Sequence, residues 1–377
     1  MNLDNLTLNL PFNSTSFGNI SYSIARELYS RGINPNIFPI GGLDMSSQPP
    51  DEKFFQWIQV NSQKAIKSHN KKNPVIKLWH CNQDSLPSLS SDNEIFITFI
   101  ETDAITEYEK NILSQKKTVF VTSNYTKRVM EDCGLSNVKY LQLGFDSVNF
   151  KKLDKKYYND DRIVFSILGK FEEKRKAHKK TIQAWLSKFG VPKVGVRTKY
   201  VLHCALYNHF MVQNVNGQVV DHNPRLFQDA MGGKDWGNVV FFNWFPNNTA
   251  YNDFLQSNHI VIGMGGGENF GAGEFHSVAL GRHSVILNAN GFKDWADKDN
   301  STLINPSGKI ESHDGIFFHK GNIYQQGNFF DYNTDEFIAG CETAIKNVES
   351  NPSNIKGLEL QNRTYKETVD TILKEIQ

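Results

Sequence analysis

The chain has 377 residues, enough for two domains at roughly 150 residues each. Its 41 Lys+Arg and 40 Asp+Glu leave a net charge of +1, which argues against a strongly basic nucleic-acid coat or an acidic tail. Cys81, Cys133, Cys204 and Cys341 are far apart and form no CxxC pair, which excludes a disulfide-dense scaffold and a zinc ribbon and fits a reducing cytoplasm.

The first residues lack the basic start and apolar run of a signal peptide, and no stretch approaches the ~18 apolar residues of a membrane span. Residues 6–10 read as a short strand. After a loop over 11–18, Ile20, Ile24 and Leu28 recur at i, i+4 and i+8, the stripe of an amphipathic helix ending at Gly32. Further strands are predicted at 36–40, 75–78, 95–100, 118–122 and 139–143, with helices at 51–68, 104–114 and 125–133. Asp103 is placed to cap the helix from 104. Residues 151–161, rich in Lys, Asp and Tyr, break the pattern and read as a linker. The alternation restarts with strands at 163–168, 199–205, 239–242, 259–264 and 284–287 and a helix at 181–189. Residues 213–235 are polar with several Gly and read as an irregular insertion, and the tail from 335 reads as mainly helical. Strand and helix alternating in this way predict an α/β protein: two mostly parallel sheets with a ligand cleft between them at the carboxyl ends of the strands. The expected divisions are 1–150, the linker, 162–355, and a helix over 356–377 that packs back on the first domain.

Three strand-to-helix junctions carry chemistry. Around Gly18, small residues let backbone N–H groups approach an anion at a helix start. From Gly169 to the helix near 181 the chain carries Lys170, Lys174, Arg175, Lys176, Lys179 and Lys180. Cations at a helix N-terminus oppose its dipole, and a bound diphosphate would compensate both. The third junction holds Gly263, Gly265, Gly266, Gly267, Gly271 and Gly273 before an apolar helix over 275–280, together with Glu268, Glu274 and His276. Such a loop is entropically costly but brings main-chain N–H groups close to a ligand, while carboxylates accept hydrogen bonds from sugar hydroxyls. There is no GxGxxG fingerprint after the first strand, no Walker lysine loop and no HExxH spacing.

In this order the motifs resemble those of the retaining glycosyltransferases of family four, which have the GT-B fold of two Rossmann-like domains. Ser123-Asn124-Tyr125-Thr126, then Gly144, Asp146 and Phe150, resemble the family's S-N-x-T … G-x-D-x-x-x-F stretch. Gly169-Lys170 and Lys176-Ala177-His178 resemble its G-R … K-G-H element, and Glu268-Asn269-Phe270-Gly271 its E-G-F-G segment. The resemblance implies a nucleotide-diphosphate sugar as donor, UDP- or GDP-linked, transferred with retention to an acceptor hydroxyl, with no resident cofactor and no bound metal. By the same resemblance Lys170 and Lys176 would hold the diphosphate and Glu268 the sugar hydroxyls, Phe270, Gly271 and Ala272 would present backbone N–H groups to the sugar, and Asn269 would also bind the donor. Gly18 would lie beside the diphosphate from the opposite domain. The chain departs from the pattern in Lys170 for Arg, Ala177 for Gly, and His276 for the second glutamate. Glu274 is therefore expected to contact the ribose in place of His276. The first domain shows no clear match to the family's acceptor-side histidine, and Glu101, after the apolar run 95–100, is expected near the acceptor hydroxyl. Alternatives are a phosphorylase or epimerase, a catalytically silent sugar-nucleotide-binding subunit, and a DNA-modifying glycosyltransferase, the last disfavoured by the neutral charge.

Overall fold

The computed structural model describes residue 3 and residues 5–83, 91–192, 195–215 and 218–376. The first sheet contains β1 (Thr7–Asn9), β2 (Asn36–Ile37), β3 (Val75–Leu78), β4 (Glu94–Thr98), β5 (Thr118–Val121) and β6 (Val138–Tyr140), in the order β2-β1-β3-β4-β5-β6. Every pairing is parallel. Four helices connect these strands: α1 (Ser16–Ser30), α2 (Glu52–Ser68), α3 (Glu107–Ser114) and α4 (Asn124–Asp132). Their starts are written locally. The Asp51 side chain accepts from the Phe54 N–H ahead of α2, Ser123 accepts from Thr126 ahead of α4, and Thr106 with Glu109 forms a reciprocal capping box on α3. The helix after β4 is therefore capped by Thr106, and Asp103, expected in that role, is committed elsewhere.

The second sheet runs β11-β8-β7-β12-β13-β14, again wholly parallel. Its strands are β7 (Ile163–Gly169), β8 (Tyr200–Leu206), β11 (Val239–Phe242), β12 (Ile260–Gly263), β13 (His283–Leu287) and β14 (Thr302–Ile304). Helix α5 (His178–Phe189) returns from β7, α7 (Asn248–Ser257) from β11 and α8 (Ala272–Ala279) from β12. The strands read as continuous apolar runs because helices cover both faces. Phe165, Trp185 and Phe189 interlock between sheet and α5, with centroid separations of 5.4–5.9 Å.

Two insertions interrupt this plan. Where an irregular loop was expected over 213–235, the chain forms an antiparallel hairpin of β9 (Val212–Val215) and β10 (Gln218–Asp221), then α6 (Asn223–Ala230). Residues 216 and 217 lie outside the described residues. Pro224 at the start of α6 and the buried Phe227 and Ala230 are the local reasons for that helix. A second hairpin, β15 (Pro306–Glu311) with β16 (Asn328–Tyr332), follows β14 and leads into α9 (Thr334–Ser350), α10 (Ile355–Leu358) and α11 (Tyr365–Lys374).

The stretch 144–150 is a junction between the halves. A Cβ on Gly144 would stand 2.3 Å from the Tyr365 nitrogen, so only glycine lets the start of α11 sit there. Helix α11 then lies against α1, where Arg31 meets Asp370 at 2.6 Å. The Asp146 carboxylate accepts from the backbone N–H of Val148 and Asn149, which fixes the turn. Residues 151–153 run along α7: Lys151 and Leu153 donate their N–H groups to the Asn252 and Gln256 side chains.

Candidate active site

In the first sheet the strand order reverses between β1 and β3, and in the second between β7 and β12. A parallel sheet opens a crevice at such a point, beyond the carboxyl ends of its strands. The segments following these four strands carry Gly18 in the first turn of α1, His80, Lys170 with Arg175 and Lys176, and the glycine-rich segment with Glu268. The two crevices face each other, and a dense cluster of charge lies between them.

Arg175 is buried and forks bidentately onto Glu172, at 2.6 Å and 2.9 Å. Its remaining terminal nitrogen donates to Glu101 of the first domain at 2.5 Å and to the Gly267 carbonyl at 3.1 Å. The Arg175 carbonyl in turn accepts from the N–H of Gly266 and Gly267. Lys176 pairs with Glu268, whose carboxylate also lies 3.5 Å from Arg175. Lys170 is held differently, its ammonium 4.7 Å from the Phe210 ring and 4.5 Å from the Phe317 ring. Burial lowers its pKa from the usual lysine value. Lys179 and Lys180 leave the cleft for Asp229 and Asp331, so the cations expected to crowd the start of α5 are partly structural.

The carboxylates divide by environment. Burial pushes Glu172 up, but Arg175 outweighs it and holds the carboxyl down at about 2. Burial pushes Glu101 up to about 7 against the pull of Arg175. Glu274, in the first turn of α8, is likewise raised to about 7 by burial, with the Glu268 charge adding to the effect and Lys176 opposing it.

Several residues expected to face a donor also make contacts within the protein. The Asn269 side chain donates to the Ile100 carbonyl and accepts from the Thr126 hydroxyl, so both its polar ends bind the first domain. His276 stacks on Phe150 at 4.1 Å, and its Nε2 accepts the Asp146 N–H. The proton therefore sits on Nδ1, which donates to the Ala272 carbonyl at 2.6 Å. That leaves no nitrogen of His276 for a ribose, and burial lowers the pKa of the ring. Phe270 is buried, and its carbonyl accepts from the Trp295 indole. Gly271, at φ +71°, caps α8 against the Phe292 ring, where a Cβ would stand 2.2 Å from a ring carbon; Ala272 begins the helix. Gly18 serves close packing, since a Cβ there would lie 2.0 Å from the Asn13 carbonyl oxygen. Ala177 takes the left-handed conformation, φ +52°, that glycine takes more cheaply, and sits as N-cap of α5.

Sequence reasoning missed three contributors. His80, just after β3, packs on Phe17 at 4.8 Å and lines a cleft with Asn82, Phe99, Glu101, Thr102 and Phe318. Burial, helped by Lys170 and Arg175, lowers its pKa to about 4, so it is neutral at physiological pH. Its only sequence signal was its place at the end of an apolar run. Arg175 stood between two lysines with nothing to distinguish it. The third is the β15–β16 hairpin, which fastens the domains together: Asp103 accepts from the Asn328 N–H at 2.7 Å and from Lys309 at 2.9 Å. Its β16 edge lies against the glycine loop, where a Cβ on Gly266 would stand 2.0 Å from the Phe330 carbonyl oxygen. Gly266→Ala is expected to destabilise the protein by about 1–3 kcal/mol, because backbone rather than a flexible side chain must move. A thermal unfolding midpoint equal to wild type would contradict this packing.

No known family model matches the sequence, and no curated protein matches it. Solved structures do match over nearly the whole length. Sucrose-phosphate synthase from Thermosynechococcus elongatus is 12% identical with a TM-score of 0.63, covering 98% of this chain and 97% of that one. The Anabaena protein HepE, in complex with UDP-glucose, is 11% identical with a TM-score of 0.64, covering 98% of each chain. WaaG, a glycosyltransferase involved in lipopolysaccharide biosynthesis, is 10% identical with a TM-score of 0.61, covering 98% of this chain and 99% of that one. The chain has the GT-B fold. At these identities the likeness is one of fold, and the chemistry has to be argued from the cleft. Among the described residues, no helix is long and apolar enough to cross a membrane, and no group of three or more His, Cys, Asp or Glu could hold a metal ion.

Proposed function

We propose that the protein is a retaining glycosyltransferase that moves a sugar from a nucleotide-diphosphate sugar to an acceptor hydroxyl. The observation that carries this reading is the meeting of Lys176 with Glu268 of the glycine loop at the reversal point of the second sheet, facing the crevice of the first, with Lys170 in the same strand-to-helix loop. Two cations beside a helix start suit a departing diphosphate, which is the charge that must be stabilised as the glycosidic bond breaks. Glu268 holds Lys176 in place. A donor would take over that lysine with its phosphate and leave the carboxylate for sugar hydroxyls. Glu274 faces the same space and is our choice for the ribose contact, because a carboxylate accepts two hydroxyl hydrogen bonds. The cationic side chains and helix ends supply the positive charge, a reading without a bound metal. GT-B proteins crystallised with UDP or UDP-glucose support a nucleotide-sugar donor. The acceptor would enter beside His80 and Glu101.

The test is thermal unfolding against UDP-, GDP- and ADP-glucose, followed by release of nucleoside diphosphate. A ligand that binds only the folded state, at about 100 times its Kd, stabilises by about 2.7 kcal/mol and raises the midpoint by several degrees. No shift and no release across the panel would sink the proposal.

A further inference from the structure

We infer that Arg175 is a positioning residue that ties the placement of the first domain to the shape of the glycine loop, an inference that rests on the glycosyltransferase reading above. Its guanidinium touches three separate pieces of the cleft: Glu172 in its own loop, the Gly267 carbonyl in the glycine loop, and Glu101 after β4 of the other domain. Its own carbonyl binds the N–H groups of Gly266 and Gly267. Both ends of one residue therefore grip two consecutive peptides of the glycine loop. The next residue on each strand of this contact makes the next pair, Lys176 with Glu268. The direction of Arg175 thus sets the register in which the phosphate-facing lysine and the sugar-facing glutamate meet.

The first domain enters through Glu101 alone among the carboxylates of this cluster. Its side chain is 27% exposed, against 3% for Glu172, so the Glu172 fork is buried within the second domain and the Glu101 contact faces the cleft. If the domains part, the Glu101 contact is lost while the Glu172 fork remains. The guanidinium then keeps Glu172 and the Gly267 carbonyl but loses the tie to the first domain that fixed its direction. A lysine keeps the charge but not the planar fork, so it can satisfy Glu172 or reach across to Glu101, not both with the same geometry. The main-chain contacts from the Arg175 carbonyl persist in any variant, which limits the damage to folding.

The experiment uses the full chain as wild type, Arg175→Lys, Glu101→Gln and the double variant. The probe is whichever of UDP-, GDP- and ADP-glucose stabilises the wild-type protein most. We expect kcat for release of nucleoside diphosphate to fall about tenfold or more in each single variant, with KM and directly titrated Kd within about threefold, the signature of lost positioning rather than lost binding. The double variant should be within about twofold of the weaker single one, because both remove the same link. Small-angle scattering of the ligand-free proteins should show a larger radius of gyration for Arg175→Lys and Glu101→Gln than for wild type. Arg175→Lys at wild-type kcat, or losses that multiply in the double variant, would overturn the inference. So would a fall in kcat matched by a rise in Kd and a drop in unfolding midpoint, since that is simple loss of structure. If the wild-type protein binds none of the three sugars, the proposed function fails by itself. The scattering then still decides the link, and an unchanged radius of gyration would overturn it.

Discussion

Lys176→Ala is expected to lower nucleotide-sugar turnover by about 10- to 100-fold while leaving the fold in place. The loss follows from removing a charge-assisted contact to the leaving phosphate, about 1.5–3 kcal/mol of transition-state stabilisation. The fold survives because Glu268, the partner left behind, remains 3.5 Å from Arg175 and is not stranded without a cation. The neighbouring loop also stays fixed by the Arg175 contacts and by His178, whose Nδ1 accepts the Glu172 N–H. Turnover within about twofold of wild type would remove this lysine from the chemistry. A collapse of the unfolding midpoint would show instead that the Lys176–Glu268 pair is a structural bolt.

The second large effect is on stability against pH. Burial lowers the pKa of His80, His203 and His259 to about 4 and that of His178 to about 3. A histidine whose folded pKa lies below its unfolded value near 6.5 binds fewer protons in the native state. Its stabilisation is therefore complete above about pH 6.5 and is lost as pH falls towards 4. Glu101 and Glu274, both raised to about 7, act in the opposite sense. For them the native state binds more protons between their unfolded value, about 4.5, and 7, so their effect favours folding at the acid end of that window and disappears as pH rises through it. The two sets overlap between about pH 6.5 and 4.5, where the two carboxyls offset only part of the effect of the four histidines, at roughly 1.4 kcal/mol for each group and pH unit, so stability already falls there as pH drops. Below about pH 5 the carboxyl effect is exhausted and the histidines still charge, so stability is expected to drop steeply. Urea unfolding at pH 8, 6.5, 5 and 4 checks the curve, and a steady slope across the range would contradict it. Glu274→Gln separates the terms. It removes a buried carboxylate that must ionise at high pH, so the variant should gain on wild type by about 1–3 kcal/mol between pH 4.5 and 8. A pH-independent difference would mean that Glu274 keeps an ordinary carboxyl pKa.

The sequence alone determined the local parts. Apolar runs with period two or fully buried, separated by amphipathic stretches, dictated parallel strands and covering helices. The strand–loop–helix junctions at Gly169 and Gly263 were legible because glycine clusters and misplaced cations contradict ordinary packing. What tertiary structure decided was which polar groups face the cleft and which fasten the two halves together. Arg175 and Glu101 are 74 residues apart, Thr126 and Asn269 143, Asp146 and His276 130, and Asp103 and Asn328 225. No periodicity spans such distances, because the pairing arises only when two independently formed sheets come together. Asn269, His276 and Asp103 have the composition of ligand or cap residues, yet burial at the domain interface leaves a polar group no stable alternative to a partner across it. The same burial turns Glu101 and Glu274 into carboxyls that titrate near neutrality, a property set by the desolvation around them and written nowhere in their own segments.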